Sequence, residues 1–267
     1  PVAVSLGMAS LGAILMYDTS TIASAVKLMY SSMNSFTMVA VPLFFLAGIL
    51  MDKGGVAEQI FSFCEDVVGW IHGGLGHVNI MTSILFAGMS GSSVADVASI
   101  GALCANAMIR SGYPSPYAWG TTLASSMLAS VIPPSILMVV AASVAQVSMG
   151  QALFAGIIPG VFLGLVMMVY NYFYCKKHGI GHRIPFNGGR LWKSFKRALP
   201  ALMVPVILLG GMYTGYFTST EAAAICVLYT LIVSMFVYKK LTFKDLPGIF
   251  MSVAKSTGTV LFVAITA

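Results

Sequence analysis

The sequence predicts an all-α polytopic membrane protein, and three observations lead to this fold class. Apolar residues make up 58% of the 267 residues, charged residues make up only 8%, and residues 111–175 carry no charge. A soluble domain has about 25% charged residues, so a soluble globule of this length lacks the charge to cover its surface. The composition therefore places the chain in a lipid bilayer. It also excludes a nucleic-acid-binding protein, a disordered chain and a disulfide scaffold.

The first third of the chain contains two predicted spans and one helix of a different kind. Residues 1–17 and 28–51 are apolar runs, and the second is long enough to cross the membrane as one helix of about 20 residues. Over 56–71, apolar side chains recur at spacings of three and four, while acidic and polar side chains occupy the other face. This pattern predicts an amphipathic helix that lies in the membrane interface.

Half of the positive charge lies in one short segment, which fixes the predicted orientation. Of the 14 Lys and Arg residues, seven fall within 176–197, which contains no Asp or Glu. Between membrane spans, such a cluster marks a cytoplasmic loop. The runs 198–220, 222–238 and 246–267 are then predicted to cross outward, back and outward again, with a second basic cluster on the cytoplasmic side. The basic residues of the two clusters are Lys176, Lys177, Arg183, Arg190, Lys193, Lys196 and Arg197, and Lys239, Lys240 and Lys244.

Packing is the predicted role of several small residues in these spans. Residues 152–175 are expected to form one complete helix, in which Gly156, Gly160 and Gly164 share a face that allows close helix contact. The four cysteines are widely spaced in apolar or amphipathic stretches, so they are expected to pack in the interior rather than to bind zinc.

A first polar break interrupts the apolar sequence at 88–93. It separates the apolar runs 78–87 and 94–109, each too short to cross the roughly 30 Å hydrocarbon core. Two short helices that meet at a Gly- and Ser-rich tip predict a re-entrant hairpin, which must face protein or a water-filled cavity. Its hydroxyl and carbonyl oxygens suit a cation, and the N-terminus of the second helix suits an anion. The ligands expected at this tip are Ser90, Gly91, Ser92 and Ser93.

A second break, at 132–135, separates the apolar segments 117–131 and 136–148. Pro133 and Pro134 have no backbone N–H, and they disfavour helical geometry at the residue before them. Backbone carbonyls of the preceding turn therefore lack the N–H donors that a continuous helix would supply. Ser135 is expected to cap the helix that follows. A pair of interrupted membrane helices points to the binding site of a secondary transporter. We therefore predict that Pro133, Pro134 and Ser135 join the first break in binding substrate and ion, with Na⁺ held by Ser90, Ser92, Ser93 and Ser135.

Two acidic residues stand near these segments. Asp96 lies one turn after the first break, and acids within membrane helices are functional hypotheses by default. Two roles stay open for it: indirect binding of a cation, and a structural pair with Arg110 or an amide such as Asn106. Glu221, three residues after Thr218, is expected to cap the start of the span 222–238.

At these motifs the sequence resembles the large membrane subunit of the TRAP (tripartite ATP-independent periplasmic) transporters. The resemblance runs over essentially the whole chain and is carried by the SGSS and IPPS breaks together with the TEAA segment. The family usually has Pro where Ser219 stands here. The matching segments, in family order, are 73–101, 125–140, 152–165 and 210–224.

The resemblance implies a function that the residue pattern alone does not show. Its members import organic acids, such as sialic acids or C4-dicarboxylates, through the bacterial inner membrane, with Na⁺ as the coupling ion and no other cofactor. A periplasmic substrate-binding protein delivers the substrate, and a small membrane subunit packs beside the large one. The implied fold is that of an elevator-type transporter, in which a mobile transport domain moves against a scaffold. Such a protein is not an enzyme.

The resemblance also divides the chain. Residues 1–55 correspond to scaffold helices, 56–75 to an amphipathic arm helix, and 151–267 to further scaffold or arm helices. The transport domain between them, 76–150, contains the hairpin 76–108 and the broken helix 117–148. The family's large subunit is longer and has a second repeat, so the sequence is expected to be a fragment that does not transport alone.

Two other functions are compatible with parts of the pattern. Residues 88–91 have the GxSG form of a rhomboid-like intramembrane serine protease, with Ser90 as nucleophile. That chemistry needs a facing base, usually His, and the four histidines lie at 72–77 and 178–182, away from the predicted tip. A non-transporting membrane scaffold or channel is the other alternative, although no ring of acidic or basic residues indicates a pore.

Overall fold

The computed structural model describes residues 2–17, 21–33, 36–145, 147–181 and 184–266. These residues form helices and no strand, which confirms the all-α prediction. Their helices are α1 (Val2–Tyr17), α2 (Ile22–Met33), α3 (Ala40–Lys53), α4 (Val56–Val68), α5 (Gly74–Ser90), α6 (Ser93–Asp96), α7 (Ala102–Arg110), α8 (Ser115–Ser126), α9 (Ile136–Val144), α10 (Met149–Ala155), α11 (Ile157–His178), α12 (Gly188–Tyr213), α13 (Ser219–Ile232) and α14 (Leu246–Thr266).

Helix length and apolarity confirm a polytopic membrane protein. A membrane-crossing helix needs about 20 apolar residues, and four helical segments of the described chain meet that requirement. They are Met149–His178, Gly188–Tyr213, Ser219–Val237 and Phe243–Val263.

The single span expected at 28–51 is wrong. The structure has α2 ending at Met33, a 3₁₀ turn at Phe36–Val39, and α3 from Ala40 to Lys53. The chain then bends by 68° into α4. Gly55, in the left-handed region at φ +77°, makes this bend, because a right-handed helix cannot continue through that conformation.

The amphipathic helix is present as α4, but protein covers its apolar face, which was expected to lie in the membrane interface. Val56, Ile60 and Cys64 are all buried, in a helix that packs between α5 and α12. On its polar face, Asp66 forms an ion pair with Arg190, and Glu58 forms one with Lys240 at 3.2 Å. The two pairs attach α4 to both basic clusters.

The segment 152–175 lies within one membrane-crossing helical segment, Met149–His178, as predicted. A turn at Gly156, whose backbone stays in the right-handed helical region, separates α10 from α11 within it. Pro159 lies in the first turn of α11, and its nitrogen donates no bond to the carbonyl of the preceding turn. The expected packing role of the glycines is confirmed. A Cβ at Gly160 would overlap Ile132, and one at Gly164 would lie 2.5 Å from Ile84.

The basic segment 176–197 is mostly helical, which corrects its description as a loop. Its first residues end α11, and its last residues begin α12 at Gly188, where the Asn187 side chain accepts bonds from two backbone amides. Among the described residues of this segment, the non-helical ones are 179–181 and 184–187. Arg183, one of the seven predicted basic residues, lies outside the described residues together with His182.

Two smaller predictions are confirmed. Thr218 and Glu221 form a capping box at the start of α13: the Glu221 amide donates to the Thr218 hydroxyl, and the Thr218 amide donates to the Glu221 carboxylate. The four cysteines are free and buried.

Candidate functional site

The first break is a short gap between two helices that pack side by side. The first arm, α5, ends at Ser90, and helical structure resumes at Ser93 and continues through a π-helical segment, Val97–Gly101, into α7. Gly91 makes the turn with a left-handed φ of +62°. Ser92 caps the second arm, because its hydroxyl accepts a bond from the Ala95 amide at 3.4 Å. The helix-gap-helix pattern predicted from the sequence is therefore present.

The second break follows a 3₁₀ turn, Met127–Ser130, at the end of α8. Helical structure resumes at Ile136, so the gap comprises 131–135 and includes a cis Pro133–Pro134 peptide bond. Ser135 has two roles here: its hydroxyl donates to the Ser130 carbonyl at 2.7 Å and accepts from the Met138 amide at 3.2 Å. The predicted capping role of Ser135 is thus confirmed.

The two breaks are in direct contact. The Ile136 amide, at the start of α9, donates to the Gly91 carbonyl at 3.1 Å. The hydroxyls of Ser93 and Ser130 share a hydrogen bond of 2.5 Å. A Cβ at Gly91 would overlap the Pro134 carbonyl, so no larger residue fits at this contact. Breaks that lie about 40 residues apart in the sequence therefore form one polar centre.

A cavity of about 170 Å³ opens on this centre. The first break lines it together with Ser130 and Ile136, which flank the second break, and α3 and α14 each add one apolar side chain. The lining includes Gly91, Ser92, Ser93, Ser130, Phe45 and Val260. Pockets for small organic ligands usually measure about 300–1,000 Å³. The cavity is therefore on the scale of an ion with a few waters rather than of a complete organic-acid site.

The electrostatics of the centre suit both signs of charge. The second arm of the hairpin and α9 both begin here, and helix N-termini carry partial positive charge with free amides. The C-terminus of α5 and the unwound backbone supply partial negative charge. Among the described residues, no backbone hydrogen bond ends on the carbonyls of Pro133 or Pro134. Free carbonyls and serine hydroxyls are ligands that a Na⁺ ion accepts.

Ser90 is less available than the sequence predicted. Its side chain is buried, and its hydroxyl accepts only a long bond, 3.5 Å, from the Ser92 amide. His77 lies on the same helix, α5, about 20 Å away along the axis. The structure thus brings no histidine to Ser90 within the described residues, and the geometry does not favour the protease alternative.

Asp96 stays apart from the centre formed by the breaks. It is fully buried, it does not line the cavity at the breaks, and neither carboxylate oxygen has a hydrogen-bond partner among the described residues. The expected pair with Arg110 or Asn106 is therefore absent from the described structure. Of the other sequence-predicted residues, Ser92 and Ser93 line the cavity. Pro133, Pro134 and Ser135 do not line it, although the Pro134 carbonyl contacts Gly91 and the Ser135 hydroxyl bonds to the Ser130 carbonyl.

Two buried amides that support the site were missed by the sequence argument. The Asn79 amide donates to the Thr122 hydroxyl at 2.7 Å and so joins α5 to α8. The Asn171 amide, on α11, donates to the Gly73 carbonyl at 3.1 Å, and its oxygen accepts from the Tyr117 hydroxyl at 2.9 Å. Both residues could have been found from the sequence, because an amide side chain inside an apolar run needs a hydrogen-bond partner.

Comparison with known proteins agrees with this geometry. The family model described as "Tripartite ATP-independent periplasmic transporter, DctM component" matches residues 1–267. The chain belongs to this family. The TRAP resemblance carried by the two breaks is therefore confirmed, and with it a multi-pass location in the bacterial inner membrane. The family consists of transport permeases, which confirms the expectation that the chain is not an enzyme.

Several relatives of this DctM-family chain carry names. It is 39% identical over 97% of its length to the sialic acid TRAP transporter large permease protein SiaM of Vibrio cholerae. It is 38% identical over 100% of its length to the sialic acid TRAP transporter permease protein SiaT of Haemophilus influenzae. It is 37% identical over 97% of its length to the C4-dicarboxylate TRAP transporter large permease protein DctM of Pseudomonas aeruginosa. The chain spans 61%, 43% and 61% of the lengths of these relatives, respectively.

Proposed function

We propose that the chain is the part of a TRAP permease that binds the coupling Na⁺ during import of an organic acid. The contact between the two breaks is the observation that carries this proposal. It brings the start of α9 to the Gly91 carbonyl and sets the hydroxyls of Ser92, Ser93 and Ser130 on one ion-sized cavity. Interrupted membrane helices that meet in this way are typical of secondary transporters that bind ions with unwound backbone. The proposed Na⁺ ligands are Ser90, Ser92, Ser93 and Ser135 with nearby carbonyls.

The proposed substrate is a sialic acid or a C4-dicarboxylate, the compounds for which the relatives are named. Its carboxylate is proposed to lie near the two helix N-termini that begin at Ser93 and Ile136, where the partial positive charge of the helix dipoles favours an anion. The cavity of about 170 Å³ is smaller than such a molecule needs. We therefore propose that the sequence beyond this region in the longer relatives completes the substrate site.

The proposed partners are a periplasmic substrate-binding protein and a small membrane subunit. The proposed motion is of the elevator type, with the hairpin and the broken helix moving together. The contacts between Gly91 and Ile136 and between Ser93 and Ser130 support this, since hydrogen bonds across both breaks join them into one unit. The domain division predicted from the sequence stands as part of this proposal.

Uptake by reconstituted protein tests the proposed function. The full product of the gene that encodes this chain is placed in proteoliposomes with its membrane and binding-protein partners. Labelled sialic acid and labelled C4-dicarboxylate are then offered separately. We expect one of them to accumulate with an inward Na⁺ gradient and to stop accumulating when K⁺ replaces Na⁺. Accumulation that is equal in K⁺ contradicts Na⁺ coupling, and accumulation of neither compound contradicts the proposed substrate class.

A further inference from the structure

A groove of about 450 Å³ runs between α8 and α11, with one side chain of α5 at its base. It shares no lining residue with the cavity at the breaks. On its α11 wall, Val166 is 47% exposed and Tyr170 is 62% exposed, and both belong to the membrane-crossing segment Met149–His178. The groove therefore opens on the outside of the described chain at the depth of the bilayer.

The walls of this groove are mostly apolar, and two of its polar side chains already have partners. The Asn171 oxygen accepts from the Tyr117 hydroxyl at 2.9 Å, and the Asn171 amide donates to the Gly73 carbonyl at 3.1 Å. A polar solute would gain few hydrogen bonds here, whereas a hydrocarbon chain fits apolar walls. At this depth of a membrane, lipid tails are the hydrocarbon chains that surround a protein.

The groove continues into positive charge at one end. On α11, Tyr174, Lys177 and His178 follow Tyr170 at spacings of three and four residues, so they extend the face that lines the groove. The Tyr174 ring stacks on both Tyr117 and His178, with ring centres 4.3 Å apart in each pair. Lys177 lies about 10 Å beyond Tyr170 along the helix axis. It is exposed, and neither of the ion pairs in the described part of the chain includes it.

The N-terminus of α8 lies at the same end of the groove. Tyr117, in the first turn of α8, stacks on Tyr174 near the end of α11. No side chain caps this N-terminus, and the first amides of a helix have no partner within the helix and carry partial positive charge. The end of α11 belongs to the basic segment 176–197, which predicts the cytoplasmic side. Basic pockets between membrane helices on that side bind the headgroups of anionic lipids.

We propose that the groove binds an anionic phospholipid. One acyl chain lies between α8 and α11, and the phosphate lies beside Lys177 and the N-terminus of α8. The lipid covers the exposed side chains of Val166 and Tyr170 and holds α8, the arm that leads into the second break, against α11. This proposal is independent of the ion and of the organic acid that the protein carries.

Lipid binding to a variant with a filled groove tests the proposal. The full gene product is delipidated in detergent and titrated with dioleoylphosphatidylglycerol, and bound lipid is counted by native mass spectrometry. Gly120 lines the groove, and a Cβ there meets nothing within 4 Å, so Gly120→Leu fills the space of the acyl chain. We expect it to lower the affinity of the tightest lipid site about tenfold or more. The matched control, Gly210→Leu at an equally open position of α12, should bind like the wild type.

A second pair of variants tests the headgroup. Lys177→Gln is expected to lower the affinity for dioleoylphosphatidylglycerol about fivefold, the contribution of one basic side chain near an anionic lipid. It should leave the affinity for dioleoylphosphatidylcholine unchanged. Lys193→Gln is the control, because Lys193 is an exposed residue of the same basic cluster on α12, which does not line the groove. It should leave both affinities unchanged.

Each result supports or overturns the proposal. Wild-type lipid affinity in Gly120→Leu overturns it, and so does an equal loss in Gly210→Leu. Equal affinity of the wild type for the two lipids overturns the anionic headgroup. A wild type that binds no phospholipid assigns the groove to a protein contact instead. If Gly120→Leu fails to fold, Lys177→Gln decides, since a loss for the anionic lipid alone supports the site and unchanged affinity overturns it.

Discussion

The Ile136 amide donates a hydrogen bond to the Gly91 carbonyl, with the nitrogen and oxygen 3.1 Å apart. One residue begins α9 and the other forms the turn of the hairpin, so this bond joins the two broken segments at the point where each loses helical structure. It also uses a free amide of a helix N-terminus and a carbonyl that has left its helix. The breaks are therefore parts of one centre rather than two independent kinks.

Replacing Gly91 by alanine is expected to separate the two breaks. The added Cβ would overlap the Pro134 carbonyl, and the left-handed φ of +62° costs a non-glycine residue about 1–2 kcal/mol. We expect a lower melting temperature and loss of transport. The control is Gly258→Ala in α14, where nothing lies within 4 Å and where alanine stabilises a helix by about 0.5–1 kcal/mol. Equal melting temperatures for the two variants would refute the predicted contact.

Asn171 is expected to hold α11 against the start of the hairpin. Asn171→Ala removes the bonds to the Gly73 carbonyl and the Tyr117 hydroxyl, and it leaves both groups without that partner. Such losses cost about 1–3 kcal/mol. Tyr117→Phe removes one of the two bonds and should cost less. Denaturation in mixed micelles, applied to both single variants and the double variant, measures this. Additive effects of the two substitutions would show that the residues do not interact.

The ion pairs on α4 are expected to differ in strength. Asp66 is buried, whereas both members of the pair between Glu58 and Lys240 are about half exposed. Exposed pairs contribute at most about 1 kcal/mol, but removing the partner of a buried acid costs more. We therefore expect Arg190→Met to lower the free energy of unfolding by more than about 1 kcal/mol and Lys240→Met by less. A larger effect of Lys240→Met would be inconsistent with the position of α4.

Glu65, next to that buried pair, should make stability depend on pH. Burial raises the pKa of Glu65 above its ordinary value of 4.5; the Arg190 guanidinium opposes this shift, and the Asp66 carboxylate adds to it. Charged Glu65 therefore opposes folding at neutral pH, and that cost disappears as the pH falls below the ordinary pKa. Glu65→Gln is expected to raise the melting temperature at pH 7 and to leave it unchanged near about pH 3.5. A lower melting temperature at pH 7 would contradict the raised pKa.

The sequence predicted the break positions well because Gly, Pro and Ser clusters in apolar runs have few structural interpretations. It predicted the span at 28–51 poorly. Apolar composition alone does not show where a helix ends, and the bend after α3 depends on the backbone conformation of Gly55. The sequence did not predict contacts between segments that lie far apart in the chain. Nothing in the local pattern shows that the Gly91 carbonyl receives the Ile136 amide or that Asp96 lies beside Ser126 rather than Arg110.

The Na⁺ dependence of uptake in a Ser93→Ala variant tests most directly whether the two breaks form one sodium site. Ser93 lines the cavity and bonds to Ser130 across the breaks, whereas the Ser252→Ala control only loses a bond within α14. We predict that Ser93→Ala raises the Na⁺ concentration for half-maximal uptake about tenfold or more, the equivalent of about 1.4 kcal/mol, while Ser252→Ala leaves it unchanged. An unchanged Na⁺ dependence in Ser93→Ala, in protein that is inserted and folded, would contradict the account.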